Sequence, residues 1–215
     1  MTNIILIDDH EVVRSGVKRI IDDQPDLHVV AEAADANQAY TLYQEYEPDV
    51  LIMDVNTPDS SGISALAQVI ARFPDAKILM FAMQSGSSFA IQAMTAGAKG
   101  YLLKTSSTEE MLTAIRQIAM GNSYLSAEAA QKLALHNISD KTNPTHALTP
   151  REFEIFRLLA EGAEAEKISE QLKIGLKTVA NYQTQLKQKL NISTPIQLVR
   201  LAIQHDIISI SPIAS

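Results

Sequence analysis

The sequence predicts two domains in series: an α/β domain with a doubly wound parallel sheet of five βα units, then an all-α domain of four helices containing a helix-turn-helix. Three observations carry this. From residue 3 to about 120, short apolar runs alternate with longer amphipathic segments, the pattern of strands joined by crossover helices. A polar stretch at 138–147, with Pro144 and no periodicity, breaks the chain, and the apolar spacing beyond it is helical throughout. The charge changes at the same place. Residues 1–147 carry 10 Lys and Arg against 18 Asp and Glu, a net of −8, whereas 148–215 carry 8 against 7, a net of +1. The expected division is 1–121, a helix and flexible linker at 122–147, and 148–215.

The strand-like runs are 4–7, 27–33, 50–53, 78–82 and 100–103. The third shows the logic. Its four apolar residues lie between Glu47-Pro48-Asp49 and Asn56-Thr57-Pro58-Asp59-Ser60-Ser61-Gly62, too short for a helix and closed by turn formers on both sides. Helices are expected at roughly 10–22, 35–46, 61–72, 86–96 and 108–119, the last with Met111, Leu112, Ile115, Ile118 and Ala119 on one face. Met80 and Met83, in and after the fourth run, are read as core filler rather than a ligand pair. A further helix follows Gly121-Asn122, with Ser126 as N-cap and Glu128 in its first turn, running to about 137.

The second domain opens on a capping box: Thr149 at the N-cap, Pro150 at the first helical position, Glu152 three residues after the cap. Helices are expected at 150–161, 164–172, 176–190 and 194–205, with Thr194 capping the last. The short break before Gly175 suggests the helix-turn-helix. Along 176–190, Val179, Tyr182, Leu186 and Leu190 form one buried stripe. The opposite arc carries Lys177, Thr178, Ala180, Asn181, Thr184, Gln185 and Gln188, with Lys187 and Lys189 near the end and no acid in the helix.

Composition narrows the classes. There is no cysteine, which removes disulfides and thiolate zinc sites. The first residues read as neither a signal peptide nor a membrane span, so the expected location is the cytoplasm. Neither G-x-G-x-x-G nor a P-loop is present.

The chemistry gathers at strand ends, where open α/β sheets place their working residues. The first run ends in Asp8-Asp9, the third in Asp54, the fifth in Lys104. If the first and third strands are neighbours, three carboxylates converge. Two unit charges about 4 Å apart repel by roughly 4 kcal/mol at an effective dielectric near 20. Such a site calls for a hard cation, and Mg²⁺ suits carboxylate and carbonyl oxygens beside a phosphate. The chemistry favoured is phosphoryl transfer to Asp54, with Lys104 binding a transferring oxygen. A phosphatase using an Asp nucleophile usually has a second Asp two residues on, and residue 56 is Asn.

Asp8-Asp9-His10, Asp54 with Asn56 and Pro58, and Gly100-Tyr101-Leu102-Leu103-Lys104 together resemble the receiver domain of two-component response regulators. The resemblance implies that Asp54 is the phosphoacceptor for a sensor histidine kinase. It also implies that Asp9, Asp54 and the Asn56 carbonyl bind Mg²⁺, that Asp8 assists, that Lys104 binds the phosphoryl group, and that Tyr101 changes orientation on activation. His10 is read as a helix-start residue. Slow self-phosphorylation and self-dephosphorylation follow, without enzymatic turnover. Two positions depart from the pattern. Ala82 stands where the family usually has a Ser or Thr hydroxyl, and Thr57 where it commonly has Met.

Thr149-Pro150-Arg151-Glu152, Gly162, Ile168 with Leu172, 174–179 and Lys189-Leu190 resemble the LuxR-type helix-turn-helix of NarL/FixJ regulators. Tyr182, where many members have His, and the long linker are similar to the GacA/UvrY-like branch. By this resemblance helix 176–190 enters the major groove of double-stranded DNA. Lys177, Lys187 and Lys189 meet phosphates, Thr178 lies on the same arc, and Ala180, Asn181, Thr184 and Gln185 meet base edges. The last helix pairs two copies. The alternative is a degenerate receiver, insensitive to phosphorylation and acting through protein contacts.

Overall fold

The computed structural model describes residues 1–57, 60–83, 87–131, 134 and 143–208. In the first domain β1 (Thr2–Ile7), α1 (Glu11–Asp22), β2 (Leu27–Ala33), α2 (Ala39–Tyr46) and β3 (Val50–Asp54) are followed by α3 (Gly62–Arg72), β4 (Ile78–Ala82), α4 (Ser87–Thr95), β5 (Gly100–Leu103), α5 (Thr108–Ala119) and β6 (Tyr124–Leu125). The strands form one parallel sheet in the order β2-β1-β3-β4-β5-β6. β1 therefore lies beside β3, as the convergence of acids requires. Between β3 and α3, Asn56–Thr57 and Ser60–Ser61 add a short antiparallel pair.

Side chains alternate across the sheet as the strand period demands. Ile4, Leu6, Ile52, Leu79 and Leu102 face α1 and α5, meeting Ile21, Leu112, Ile115 and Ile118. Ile5, Ile7, Leu51, Met53, Met80 and Tyr101 face the other way, toward Leu66, Val69, Phe89 and Ala93 on α3 and α4.

Among the described residues the expected elements are present, with differences beyond the short pair at 56–57 and 60–61. β6 was not read as a strand: two residues carry no alternation, and they pair only because the chain after α5 turns back along β5. α2 begins with a separate 3₁₀ turn, Ala36–Gln38, capped by the Asp35 side chain. Met83 is not core filler; Met80 is fully buried, but Met83 lies past the end of β4 and is 58% exposed. The linker is shaped at its end, where Asn143 caps a 3₁₀ turn at Pro144–Ala147.

A helix, α6, starts at 127, and the Ser126 hydroxyl accepts from the Ala129 N–H; the expected end near 137 and the polar stretch 138–142 lie outside the described residues. The second domain consists of α7 (Pro150–Ala160), α8 (Ala165–Leu172), α9 (Leu176–Lys189) and α10 (Pro195–Gln204). Thr149 and Glu152 form the expected capping box, and Thr194 with Gln197 forms a second. α7 ends at Gly162, whose φ of +85° suits glycine. There the N–H of Ala163 bonds the Leu158 carbonyl and that of Gly162 the Leu159 carbonyl, a Schellman-type stop.

The two domains are docked. The Phe89 ring of α4 meets Phe153 of α7 edge-on, with centroids 5.3 Å apart. Gln92 Nε2 donates to the carbonyls of Thr145 and Leu148 at 3.1 and 3.2 Å. Ser88 Oγ donates to the His205 carbonyl at 3.1 Å, and Ser64 Oγ of α3 to Glu154 Oε2 at 2.5 Å.

Candidate functional site

Each functional side chain at the sheet edge is placed by a strand that ends. β1 runs Ile4–Ile7 into the core, and the next residue, Asp8, is held by its N–H to the Ala33 carbonyl of β2. Asp54 is the last residue of β3, opposite Phe81 of β4. Lys104 follows β5, its N–H bonded to the Ala82 carbonyl. Three neighbouring ladders thus deliver two carboxylates and an ammonium to one point. Lys104 Nζ is 2.6 Å from Asp54 Oδ2 and 2.6 Å from Asp8 Oδ2, and all three side chains are at most 4% exposed. Burial disfavours the ammonium, but Asp54 and Asp8 outweigh it and hold the Lys104 pKa above its ordinary 10.5.

Asp9 is more open. Its Oδ1 lies 2.9 Å from His10 Nδ1, and that ring is also 3.5 Å from Asp8 Oδ1. The helix start is braced further: the His10 N–H donates to Asp8 Oδ1, and Arg14 Nη1 donates to the Asp8 carbonyl at 2.6 Å. One ligand atom from each of Asp8, Asp9, His10 and Asp54 falls within 4.8 Å of the others. Asp8 Oδ2 and Asp9 Oδ1 are buried with no hydrogen bond of good geometry, facing Lys104 and His10 only as ion contacts. Oxygen donors left in this condition fit a hard divalent cation better than they fit one another. Of Asn56 only the backbone pairing with Ser61 is described, and Pro58 lies outside the described residues.

Gly62 is a residue that sequence reasoning took only as a turn former. A Cβ there would stand 2.0 Å from the Asp54 carbonyl oxygen, so the chain leaving β3 can return against its own strand only over a hydrogen atom. Its N–H bonds the Val55 carbonyl. The isolated Gly at the start of a predicted helix was the available signal.

Ala82 and Tyr101 occupy the same side of the sheet. Ala82 is buried and pairs with Leu103, and its side chain carries no hydrogen-bonding group. Tyr101 is fully buried, opposite Met80. Burial pushes its phenol well above the usual range, and the Asp54 charge adds to the effect.

In the second domain, Val179 and Leu186 of α9 are fully buried, Leu190 nearly so and Tyr182 partly. Lys177, Thr178, Ala180, Asn181, Thr184, Gln185, Lys187 and Lys189 are all exposed. The docking just described uses α7, the 145–148 turn and the end of α10, leaving this arc of α9 outward. Two of its members already have partners. Thr184 Oγ1 donates to the Ala180 carbonyl, and Lys189 Nζ is 2.7 Å from Glu152 Oε1. The Lys189–Glu152 pair ties the end of α9 to the start of α7, and separate motifs gave no sign of it.

A five-unit α/β domain with carboxylates and a lysine at its strand ends, followed by a helix-turn-helix, is the architecture of a response regulator with an output domain. The comparisons agree. Residues 4–116 match the response regulator receiver domain, and residues 146–202 match the bacterial regulatory proteins of the luxR family. Response regulator UvrY of Escherichia coli is 35% identical over 217 residues, covering all of both chains. A LuxR-family two-component response regulator from an Aurantimonas species is 42% identical with a TM-score of 0.63, covering 65% of this chain and 99% of that one. RcsB of Salmonella enterica, solved bound to a promoter, shares the fold with a TM-score of 0.72 at 22% identity, over 93% of this chain and 97% of that one. The chain belongs to the NarL/FixJ family of response regulators, with a LuxR-type output domain. No helix among the described residues is long and apolar enough to cross a membrane.

Proposed function

We propose that this regulator is switched by phosphorylation of Asp54 and controls transcription by laying α9 in the major groove of double-stranded DNA, as a homodimer in the cytoplasm. The observation that carries the reading is the buried triad of Asp54, Asp8 and Lys104, with both ion contacts at 2.6 Å. A carboxylate oxygen of Asp54 attacks phosphorus as the donor's leaving group departs, and Lys104 moves its charge from the Asp54 oxygen to an oxygen of the transferred group. Asp8, Asp9 and Asp54, with the Asn56 carbonyl, would hold Mg²⁺. When bound there, the ion supplies neutralisation of the phosphoryl oxygens. The donor is a sensor histidine kinase, and the chain's own part is self-phosphorylation and slow hydrolysis without turnover.

On α9, Lys177, Lys187 and Lys189 are assigned to phosphates, and Ala180, Asn181, Thr184 and Gln185, with Thr178 beside them, to the groove. Asn and Gln suit adenine, and the Ala and Thr methyls suit the thymine methyl. The division at 1–121, 122–147 and 148–215 follows this assignment of roles. Footprinting genomic DNA with wild type and Asp54→Ala, each with and without acetyl phosphate and Mg²⁺, tests the whole. Protected sites that strengthen with acetyl phosphate in the wild type alone are expected; identical patterns in all four samples sink it.

The buried methyl of Ala82 favours one refinement. Phosphate at Asp54 lacks the hydroxyl that would bond it beside Tyr101, so its effect on conformation is weaker than in an Ala82→Thr variant. Dimerisation of both proteins with and without acetyl phosphate reads this directly, and equal responses count against it. Loss of response in the wild type would move the reading toward a regulator acting through protein contacts.

A further inference from the structure

His10 stands at the N-cap of α1, as its place in the sequence suggests, but its side chain makes no capping hydrogen bond. The N-cap favours Ser, Thr, Asp or Asn, whose oxygens reach the free N–H groups of the first turn, and this histidine gives the helix nothing of that kind. Its imidazole turns to the acids instead. Nδ1 lies 2.9 Å from Asp9 Oδ1 and 3.5 Å from Asp8 Oδ1, and the His10 N–H donates to Asp8 Oδ1 at 2.9 Å. The backbone turn that places the carboxylates therefore places the ring as well.

The donor set is mixed. One atom each from Asp8, Asp9, His10 and Asp54 lies within 4.8 Å of the others, and Asp8 Oδ2 and Asp9 Oδ1 are buried without a hydrogen bond. Donors bound to a tetrahedral Zn²⁺ at about 2.0–2.2 Å stand roughly 3.3–3.6 Å apart, and the ring nitrogen already meets Asp8 Oδ1 at 3.5 Å. Three carboxylates beside the single ammonium of Lys104 leave two negative charges, which a divalent ion cancels. Mg²⁺ takes oxygen ligands and keeps its own waters, whereas zinc and its neighbours favour an imidazole. Asp9 and His10 also line a cleft, so the nitrogen and one carboxylate face solvent.

We infer that His10 converts the acid edge into a nitrogen–oxygen site for a borderline transition-metal ion of the Zn²⁺ class, which competes there with the Mg²⁺ of the function proposed above. The inference goes beyond that function. It stands on the geometry of the acids and the ring, and holds whether or not Asp54 accepts phosphate. Zn²⁺ and Mg²⁺ exclude each other because both claim Asp9 and Asp54.

The test uses untagged full-length wild type, His10→Gln and Asp9→Asn. His28→Gln is the control, since the His28 ring meets one carboxylate, Asp22, at 3.2 Å. Calorimetric titration gives the Zn²⁺ and Mg²⁺ affinities, and Co²⁺ is titrated in place of Zn²⁺ because its visible absorption reports the donor atoms. In His10→Gln the Zn²⁺ affinity is expected to fall at least roughly tenfold, the loss that even an outer partner of a metal site brings, while the Mg²⁺ affinity stays within about twofold. The Co²⁺ bands should change in the same variant. Asp9→Asn is expected to weaken both ions and His28→Gln neither, and Mg²⁺ should raise the apparent Kd for Zn²⁺ in the wild type. His10 is 58% exposed, so its substitution leaves the core intact. Equal losses for both ions in His10→Gln, or an unchanged Zn²⁺ affinity there, overturn the inference, as does Zn²⁺ binding that Mg²⁺ does not oppose.

Discussion

Two lysines of this chain sit against carboxylates at nearly the same distance, in opposite circumstances. Lys104 lies 2.6 Å from both Asp54 and Asp8 and is 4% exposed. Lys189 lies 2.7 Å from Glu152 and is 40% exposed. The first pair is fixed by the ends of β1, β3 and β5, none of which can shift without moving the sheet, and water screens it little. The second joins two helix ends and is screened by solvent. An ion pair becomes a chemical site when the backbone has already met the cost of gathering its charges; otherwise it is a tie between elements.

The sharpest way to break the comparison is Lys104→Met. It leaves Asp54 and Asp8 buried with like charges and no ammonium, and should cost about 3–5 kcal/mol. Urea denaturation followed by circular dichroism in EDTA measures this, and a loss under about 1 kcal/mol would place Lys104 in the same class as Lys189. Next in size is Asp9→Asn. Removing one of three converging carboxylates is expected to stabilise the metal-free protein by about 1 kcal/mol; Mg²⁺ is expected to raise the Tm of the wild type and not that of the variant. A Tm that responds equally in both proteins would detach Asp9 from the cation.

Lys189→Met should cost less than about 1 kcal/mol at neutral pH. Its pH dependence has a definite sign. Burial alone would raise the Glu152 pKa, but Lys189 and the Thr149 N–H and hydroxyl outweigh burial and hold it below its ordinary 4.5. A depressed carboxyl contributes stability above its unfolded value and loses it as pH falls through the folded one. Wild type and Lys189→Met should therefore converge in stability below pH 4.5, and a gap that persists at acid pH refutes the pairing. The smallest effect is on DNA. Lys187→Ala should reduce the salt slope of binding by about 0.9, and Lys189→Ala by less, because Glu152 already holds its charge. Equal reductions would show that DNA displaces Glu152.

The carboxylate edge was legible because each of its residues ends an apolar run, and a run of four or five buried residues bounded by turn formers has few alternative readings. Asp54, Asp8 and Lys104 meet for that reason alone. The outward arc of α9 was legible from the spacing of Val179, Tyr182 and Leu186. What escaped has a common cause. β6 is two residues long, Gly62 matters through a backbone oxygen eight residues earlier, and the Ser64–Glu154 bond joins positions 90 apart. None of these leaves a periodic trace, since each depends on where the fold brings a distant atom. Met83 shows the opposite error: hydrophobic identity suggested the core, but the strand had already ended.

β6 has a mechanical side as well. The chain leaves the sheet at Leu125, which pairs with Tyr101, and the Ser126 N–H bonds the Tyr101 carbonyl at 3.2 Å. Three residues along the same strand-and-turn is Lys104. A pull on the segment leading to the second domain is thus borne first by a single rung of ladder on the strand that carries both the aromatic and the ammonium. The chain that leaves the sheet toward the second domain and the side chains of Tyr101 and Lys104 thus hang on one strand and the turn that follows it.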